Sequence, residues 1–201
     1  MEPDLLEFGE RPGHADLCGL GLKNFGTVDL GDARCNQRLI DSAAQIAATP
    51  QRSFHTIFDW NDLRGFYRLC DTTTATVDNL QHTNRRLTRQ AMTQHPVVLI
   101  RHDTSEIDLT SHTARIDIGP IGDGRGRGFL QHNSLAIVPD TRHVLGLAHQ
   151  QLRLRKPAPP HETSGQRQRR ERESVLWTNG ITATGPPPAG VTWVDVGDRV
   201  G

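Results

Sequence analysis

Val97-Val98-Leu99-Ile100-Arg101-His102-Asp103-Thr104-Ser105-Glu106 is the stretch on which the reading of the fold turns. Its first four residues form a short, continuous apolar run. Such a run suits a strand buried on both faces. Pro96 precedes it and closes the helical pattern upstream. The run leads directly into Asp103, so a carboxylate is expected at the end of a buried strand.

Upstream of Pro96 the pattern is helical. Leu39, Ile40, Ala43, Ala44 and Ala47 recur at helical spacing, and Thr49-Pro50 ends that segment. Ser53 is placed to cap a second helical region, in which Leu63, Phe66, Tyr67 and Cys70 follow the i, i+3, i+4, i+7 pattern of a buried face. A third helix is expected from about Thr76 to Gln94, with Val77, Leu80, Leu87 and Ala91 inward and Arg85, Arg86 and Arg89 outward. Residues 1–24 show no periodicity and read as a loose arm.

Downstream, Phe129 to Val138 and His143 to Leu154 read as two strands of an antiparallel hairpin around the turn Pro139-Asp140-Thr141-Arg142. Residues 156–172 read as a surface excursion rich in proline and charge, and a short helix is expected over Glu173–Ile181. Val191 to Val196 is a final strand, followed by Gly197-Asp198-Arg199. Asp198 thus repeats the logic of Asp103. The expected class is α/β: an arm over 1–20, a helical domain over 21–95, and a mixed sheet over 96–201.

Composition excludes more than it suggests. Of 201 residues 35% are hydrophobic and 5% aromatic, and Lys+Arg balances Asp+Glu at 23 each. Bulk charge therefore gives no support to nucleic-acid binding. The distribution is more informative. The first 22 residues carry five acids against one arginine, whereas 153–172 carries seven basic residues against two acidic. Arginine supplies nearly all the positive charge, which suits two-point contact with phosphate oxygens. Arg34 and Arg38 share one helix face, as do Arg64 and Arg68. With Arg85 and Arg86 they are the candidates for phosphate contact. A solvated helix face accounts for any one of them equally well. Tyr67 belongs to the apolar face by spacing and is also a candidate for DNA contact.

Cys18, Cys35 and Cys70 show no CxxC spacing, so neither a disulfide framework nor a structural zinc site is expected. No apolar run has membrane-spanning length and the N-terminus is acidic, so a soluble, cytoplasmic chain is expected. The glycines from Gly122 to Gly128 are not followed by Gly-Lys-Ser/Thr and read as a flexible connection, not a phosphate loop. The histidines form no His-Glu-x-x-His helix, and Ser134 has no recognisable triad context.

Carboxylates at neighbouring strand ends are one way to hold hard divalent cations, which take oxygen ligands. Two such carboxylates repel, and a bound cation offsets that repulsion. An aspartate after a strand is, however, more often a turn former or helix cap. By spacing alone Asp108, Asp117, Asp123, Asp140 and Asp195 are equal candidates.

Ordered motifs add to this. Asn24-Phe25-Gly26, Leu30-Gly31-Asp32-Ala33-Arg34, Arg38-Leu39 and Phe66-Tyr67-Arg68-Leu69 resemble the N-terminal DNA-binding domain of the cut-and-paste transposase family named after insertion sequence four. His102-Asp103-Thr104-Ser105-Glu106 resembles the strand bearing that family's first catalytic Asp. Gly119, Ile121-Gly122, Arg127-Gly128, His132-Asn133-Ser134-Leu135-Ala136 and Leu145-Gly146-Leu147 resemble the hairpin that follows. Arg172-Glu173-Ser174 with Trp177 resembles a further block, and Asp198-Arg199 resembles the second catalytic Asp with its Arg. The resemblance runs collinearly from about Phe25 to Arg199.

It implies a ribonuclease H-like catalytic core behind a helical DNA-binding domain. It further implies dimers on double-stranded transposon ends, a two-ion Mg²⁺ site, and Asp103 and Asp198 as catalytic metal ligands. The family's third carboxylate, a Glu within Tyr-x2-Arg-x3-Glu-x6-Lys, has no counterpart here, because Glu106, Glu162, Glu171 and Glu173 all precede Asp198. The chain alone is therefore expected to be catalytically inactive. A DNA-binding or regulatory fragment and a gene remnant stand as alternatives.

Overall fold

A computed structural model of the chain describes residues 14–157, 159, 161, 163–165 and 174–197. The elements run α1 (His14–Phe25), α2 (Ala33–Ala48), α3 (Phe54–Ile57), α4 (Trp60–Cys70), α5 (Val77–Met92), β1 (Val97–Asp108), β2 (Gly119–Ile121), β3 (Gly126–Ile137), β4 (Val144–Arg153), α6 (Val175–Thr184) and β5 (Thr192–Gly197). The chain divides into two compact units between Thr83 and Asn84, inside α5. It is a mixed α/β protein with N-terminal helices followed by a mixed sheet.

The helical unit is built on a core of Val28, Leu30, Leu39 and Leu69, with Phe25, Cys35, Ala75 and Leu80 packed against it. Asp32 starts α2 by accepting the Arg34 backbone N–H at 2.7 Å. Asp59 starts α4 in the same way through Asp62 N–H at 2.8 Å. Each cap satisfies one of the donors a helix start leaves open. Phe54, Phe58 and Phe66 form a second apolar cluster, with ring centroids 5.0 to 6.1 Å apart.

Two expectations are corrected here. Residues His14–Phe25 form a helix where the sequence suggests a loose arm. α1 meets α2 through Gly21, where an added Cβ would fall 2.5 Å from the Ile40 carbonyl oxygen. A backbone approach of that kind leaves no apolar stripe to read. On α4 the buried residues are Leu63, Gly65 and Leu69, while Tyr67 and Cys70 are exposed. The buried face is thus rotated from the one that spacing predicts.

The second unit is a five-stranded sheet ordered β2-β3-β1-β5, with β4 also pairing with β3. β1, β3 and β4 are antiparallel, and β5 runs parallel to β1. Strict alternation along β3 gives the sheet one buried face. Met92, Val98, Ile100, Ala136 and Ala148 form the core on that face, with Leu145 and Trp193 against them. Arg89, expected to point outward, instead donates to the carbonyls of Thr184 and Pro186 and lies over Trp193 at 4.8 Å. It ties the end of α6 in place, because a guanidinium can serve several acceptors and an aromatic face at once.

The glycine-rich connection is more ordered than its composition suggests. β2 pairs with the start of β3, and Gly122 and Gly124 turn between them with φ of 56° and 92°. The Glu106 carboxylate accepts the Gly122 N–H at 2.9 Å and pairs with Arg155 at 2.8 Å. The expected surface excursion over 156–172 lies in large part outside the described residues. Among the described residues no helix is long and apolar enough to cross a membrane.

Candidate functional site

On α4, Trp60, Arg64, Tyr67 and Arg68 recur at i, i+4, i+7 and i+8, so they share one helix face. All four are exposed; Trp60 is 69% and Tyr67 46% exposed. The Arg64 guanidinium sits 6.0 Å from the Trp60 ring centroid, at the edge of cation–π range. The opposite face of α4 is held in the core by Leu63 and Leu69. The result is a rigid helix presenting two cations and two aromatic rings to solvent, a combination suited to phosphate and base surfaces.

The remaining arginine candidates fall into different settings. Arg34 projects from the first turn of α2 with its side chain 93% exposed, 3.7 Å from Asp32. Arg38 is half-buried and its guanidinium lies against Gly65 of α4. Arg85 and Arg86 follow the unit division, within the sheet-bearing unit. Arg85 reaches the Gln150 carbonyl at 3.5 Å, while Arg86 is exposed. The six arginines therefore do not share one environment.

Asp103 lies mid-strand, since β1 continues to Asp108. Sequence reasoning places it at a strand end. The polar stretch Ser105–Asp108 stays extended because each residue pairs with β3. Among the described residues the β5 pairing runs as far as His102↔Gly197, beside Asp103. Asp103 is exposed, faces Asn133 in the register, and accepts from Ser105 Oγ at 3.4 Å. The Asn133 side-chain oxygen accepts from Gln131 at 3.2 Å and from Gln150 at 2.8 Å. Asp198 and Arg199 lie outside the described residues. Among the described residues no three His, Cys, Asp or Glu side chains converge to hold a metal ion.

Beside Asp103, on the covered face, lies a group that spacing does not reveal. His102 Nε2 is 2.8 Å from Asp195 Oδ1 on β5, and His102 Nδ1 is 3.0 Å from Ser134 Oγ on β3. His132 stacks on His102 at 5.6 Å and bonds Thr104 through Nδ1 at 2.8 Å. Burial, then repulsion from His102 and His149, lowers the His132 pKa from 6.5 to about 4. Gly180 of α6 seats on this group: an added Cβ would fall 2.8 Å from Ser134 Oγ and 3.0 Å from both imidazoles. The partners of His102 are 32 and 93 residues away in sequence. The available signal is the appearance of His102, His132 and Ser134 at inward positions of two adjoining strands.

Residues 22–75, from within α1 through α4 and including the exposed stripe, match the family model for transposase DNA-binding, which supports a DNA-binding transposase portion in this chain.

Proposed function

We propose that the chain belongs to a three-carboxylate (DDE) transposase of the insertion-sequence-four kind. In this reading the helical unit engages double-stranded transposon ends and the sheet is a ribonuclease H-like scaffold for DNA strand cleavage and transfer. The observation that carries the reading is the pairing of β1 with β5. Among the described residues the pairing reaches His102↔Gly197, and the next residues in sequence are Asp103 and Asp198. The strand order supports it too: antiparallel β1, β3 and β4, then α6, then β5 parallel to β1. A helix-bearing crossover between parallel strands is the ordinary way to make that connection.

Asp103 fits a hard divalent cation: it is an exposed, oxygen-only donor whose one hydroxyl contact is long. Asp103 and Asp198 would hold Mg²⁺. The ion, when bound, supplies charge neutralisation at phosphorus and activation of the attacking oxygen. The chain's own contribution is to fix Asp103 on β1 through its pairing with Asn133 of β3, and to position DNA through Arg64, Arg68 and Tyr67.

A DNA-binding regulatory role without catalysis is the second reading. It is favoured by the match of residues 22–75 to the transposase DNA-binding model, a part that binds DNA without needing the sheet's carboxylates. One experiment separates the two. Duplexes selected from a random library on the full chain are used to measure affinity against salt, then incubated with Mg²⁺. Salt-sensitive DNA binding with Asp103-dependent binding of the ion supports the transposase reading, whether or not the chain alone nicks. DNA binding without ion binding supports the regulatory one, and absence of DNA binding rejects both.

A further inference from the structure

His102, on β1, joins its two neighbouring strands β5 and β3 by side-chain bonds. Its ring is 2% exposed, with Asp195 of β5 on one nitrogen and Ser134 of β3 on the other. An ionised carboxylate can only accept, so Nε2 donates to Asp195, and in the neutral imidazole Nδ1 then accepts from the Ser134 hydroxyl. The order Asp–His–Ser is that of a nucleophilic triad. Here Ser134 is 0% exposed and covered by Gly180 of α6, so no substrate carbonyl reaches its hydroxyl. The arrangement is mechanical rather than nucleophilic.

We propose that His102 is a positioning residue, and that its bonds to Asp195 and Ser134 lock the register in which β5 lies against β1 beside Asp103. This rests on the reading of Asp103 as a cation ligand. The backbone ladder of a strand pair does not select a register by itself, and a one-residue slip turns every side chain to the other face. On the open face β5 offers Thr192, Val194 and Val196, all exposed, to specify its place. On the covered face the register-specific contacts are Trp193 in the core, Asp195 on His102, and Gly197 beneath Trp177. Asp195 pairs in the ladder with Ile100, so its carboxylate reaches His102 diagonally. The space opposite His102 is left open by Gly197, where an added Cβ would fall 2.0 Å from the Trp177 ring. Trp177 in turn stacks toward His102 at 6.5 Å and 22°. A slipped β5 would carry Asp195 to the open face and leave a buried imidazole donor without its acceptor.

The test measures Mn²⁺ affinity of the full chain by titration with EPR detection, alongside thermal unfolding. The variants are Asp103→Asn, His102→Leu, Asp195→Leu and Asp195→Asn. Asn at 195 keeps an oxygen acceptor for Nε2 but removes the charge, so it separates the bond from long-range electrostatics. We expect His102→Leu and Asp195→Leu to weaken Mn²⁺ binding about tenfold or more, and Asp195→Asn to stay within about threefold of the parent. The ¹⁵N spectrum should show Nε2 protonated in the parent and in Asp195→Asn. Parent-like affinity in both leucine variants, with binding lost in Asp103→Asn, would overturn the clip and leave the carboxylate reading standing. Mn²⁺ binding indifferent to Asp103→Asn would overturn both. If His102→Leu does not fold, the Asp195 pair decides, since that side chain is 36% exposed and tolerates replacement.

Discussion

The guanidinium of Arg38 on α2 lies across the backbone of Gly65 on α4, so near that a Cβ at 65 would fall 1.5 Å from Nη1. The obstacle is the tip of a flexible side chain, and helix propensity favours Ala over Gly by about 1 kcal/mol. Gly65→Ala should therefore swing Arg38 outward and change stability by less than about 1 kcal/mol in urea unfolding. Gly65→Leu should cost about 2–3 kcal/mol, because its bulk also reaches the helix contact. Equal, large losses in both would mean that Arg38 cannot move.

The α4 stripe gives the DNA prediction. Arg64→Ala and Arg68→Ala should each weaken binding to all duplexes alike and reduce the salt slope by about 1. Trp60→Ala should weaken binding without altering that slope. Arg85→Ala should leave affinity unchanged, because Arg85 is engaged with the Gln150 carbonyl. Anisotropy titrations at several salt concentrations check all four. A loss in Arg85→Ala matching that of Arg64→Ala would show that the contact surface is not confined to the stripe, and unchanged affinity in Arg64→Ala and Arg68→Ala would show that the stripe is not part of it.

His132 predicts an acid-sensitive sheet. Its folded pKa of about 4 lies below the ordinary 6.5, chiefly through burial. Between those values the unfolded chain binds a proton that the folded chain does not, so stability falls as pH drops from 6.5 toward 4. The loss is complete below about pH 4 and amounts to about 2–3 kcal/mol from this group. Thermal melts of the parent and of His132→Asn across that window provide the check. Slopes that coincide would refute the assignment.

Gly180 predicts a packing limit. Gly180→Ala would press a methyl onto Ser134, His102 and His132, all nearly inaccessible to solvent. α6 must then lift, at about 1–3 kcal/mol. Near-UV circular dichroism at Trp177 should change with it, whereas exposed Ala183→Gly should leave that signal intact. A parent-like Tm in Gly180→Ala would show that the helix seat is loose.

What the sequence reveals depends on how each feature is encoded. β1 is legible as a strand because Val97 to Ile100 is uninterrupted apolar chain, but its expected burial on both faces is not met: Val98 and Ile100 are buried and Val97 is exposed. The β3–β4 hairpin is legible because alternation and a Pro-Asp turn coincide. α1 is not, because its close approach to α2 is made at Gly21, which has no side chain to register in an apolar pattern. The continuation of β1 past Asp103 is not legible either, since polar residues are kept extended only by their partners on β3. Tyr67 fits a buried pattern by spacing, but Leu63 and Leu69 claim the core and rotate it out. The His102 clip is invisible to local patterns, because sequence separation hides every one of its bonds.

The β1–β5 ladder has a kinetic side. Val97 pairs with Thr192, ninety-five residues further along, whereas β3 and β4 are joined by a short turn. Closing the longer loop costs more chain entropy before any contact offsets it. The antiparallel strands should therefore assemble first and β5 should dock onto a preformed platform. Substitutions at Val194 or Asp195 would then speed unfolding and leave the folding rate nearly unchanged. The strand that brings the chain to Asp198 would be the last to arrive and the first to leave.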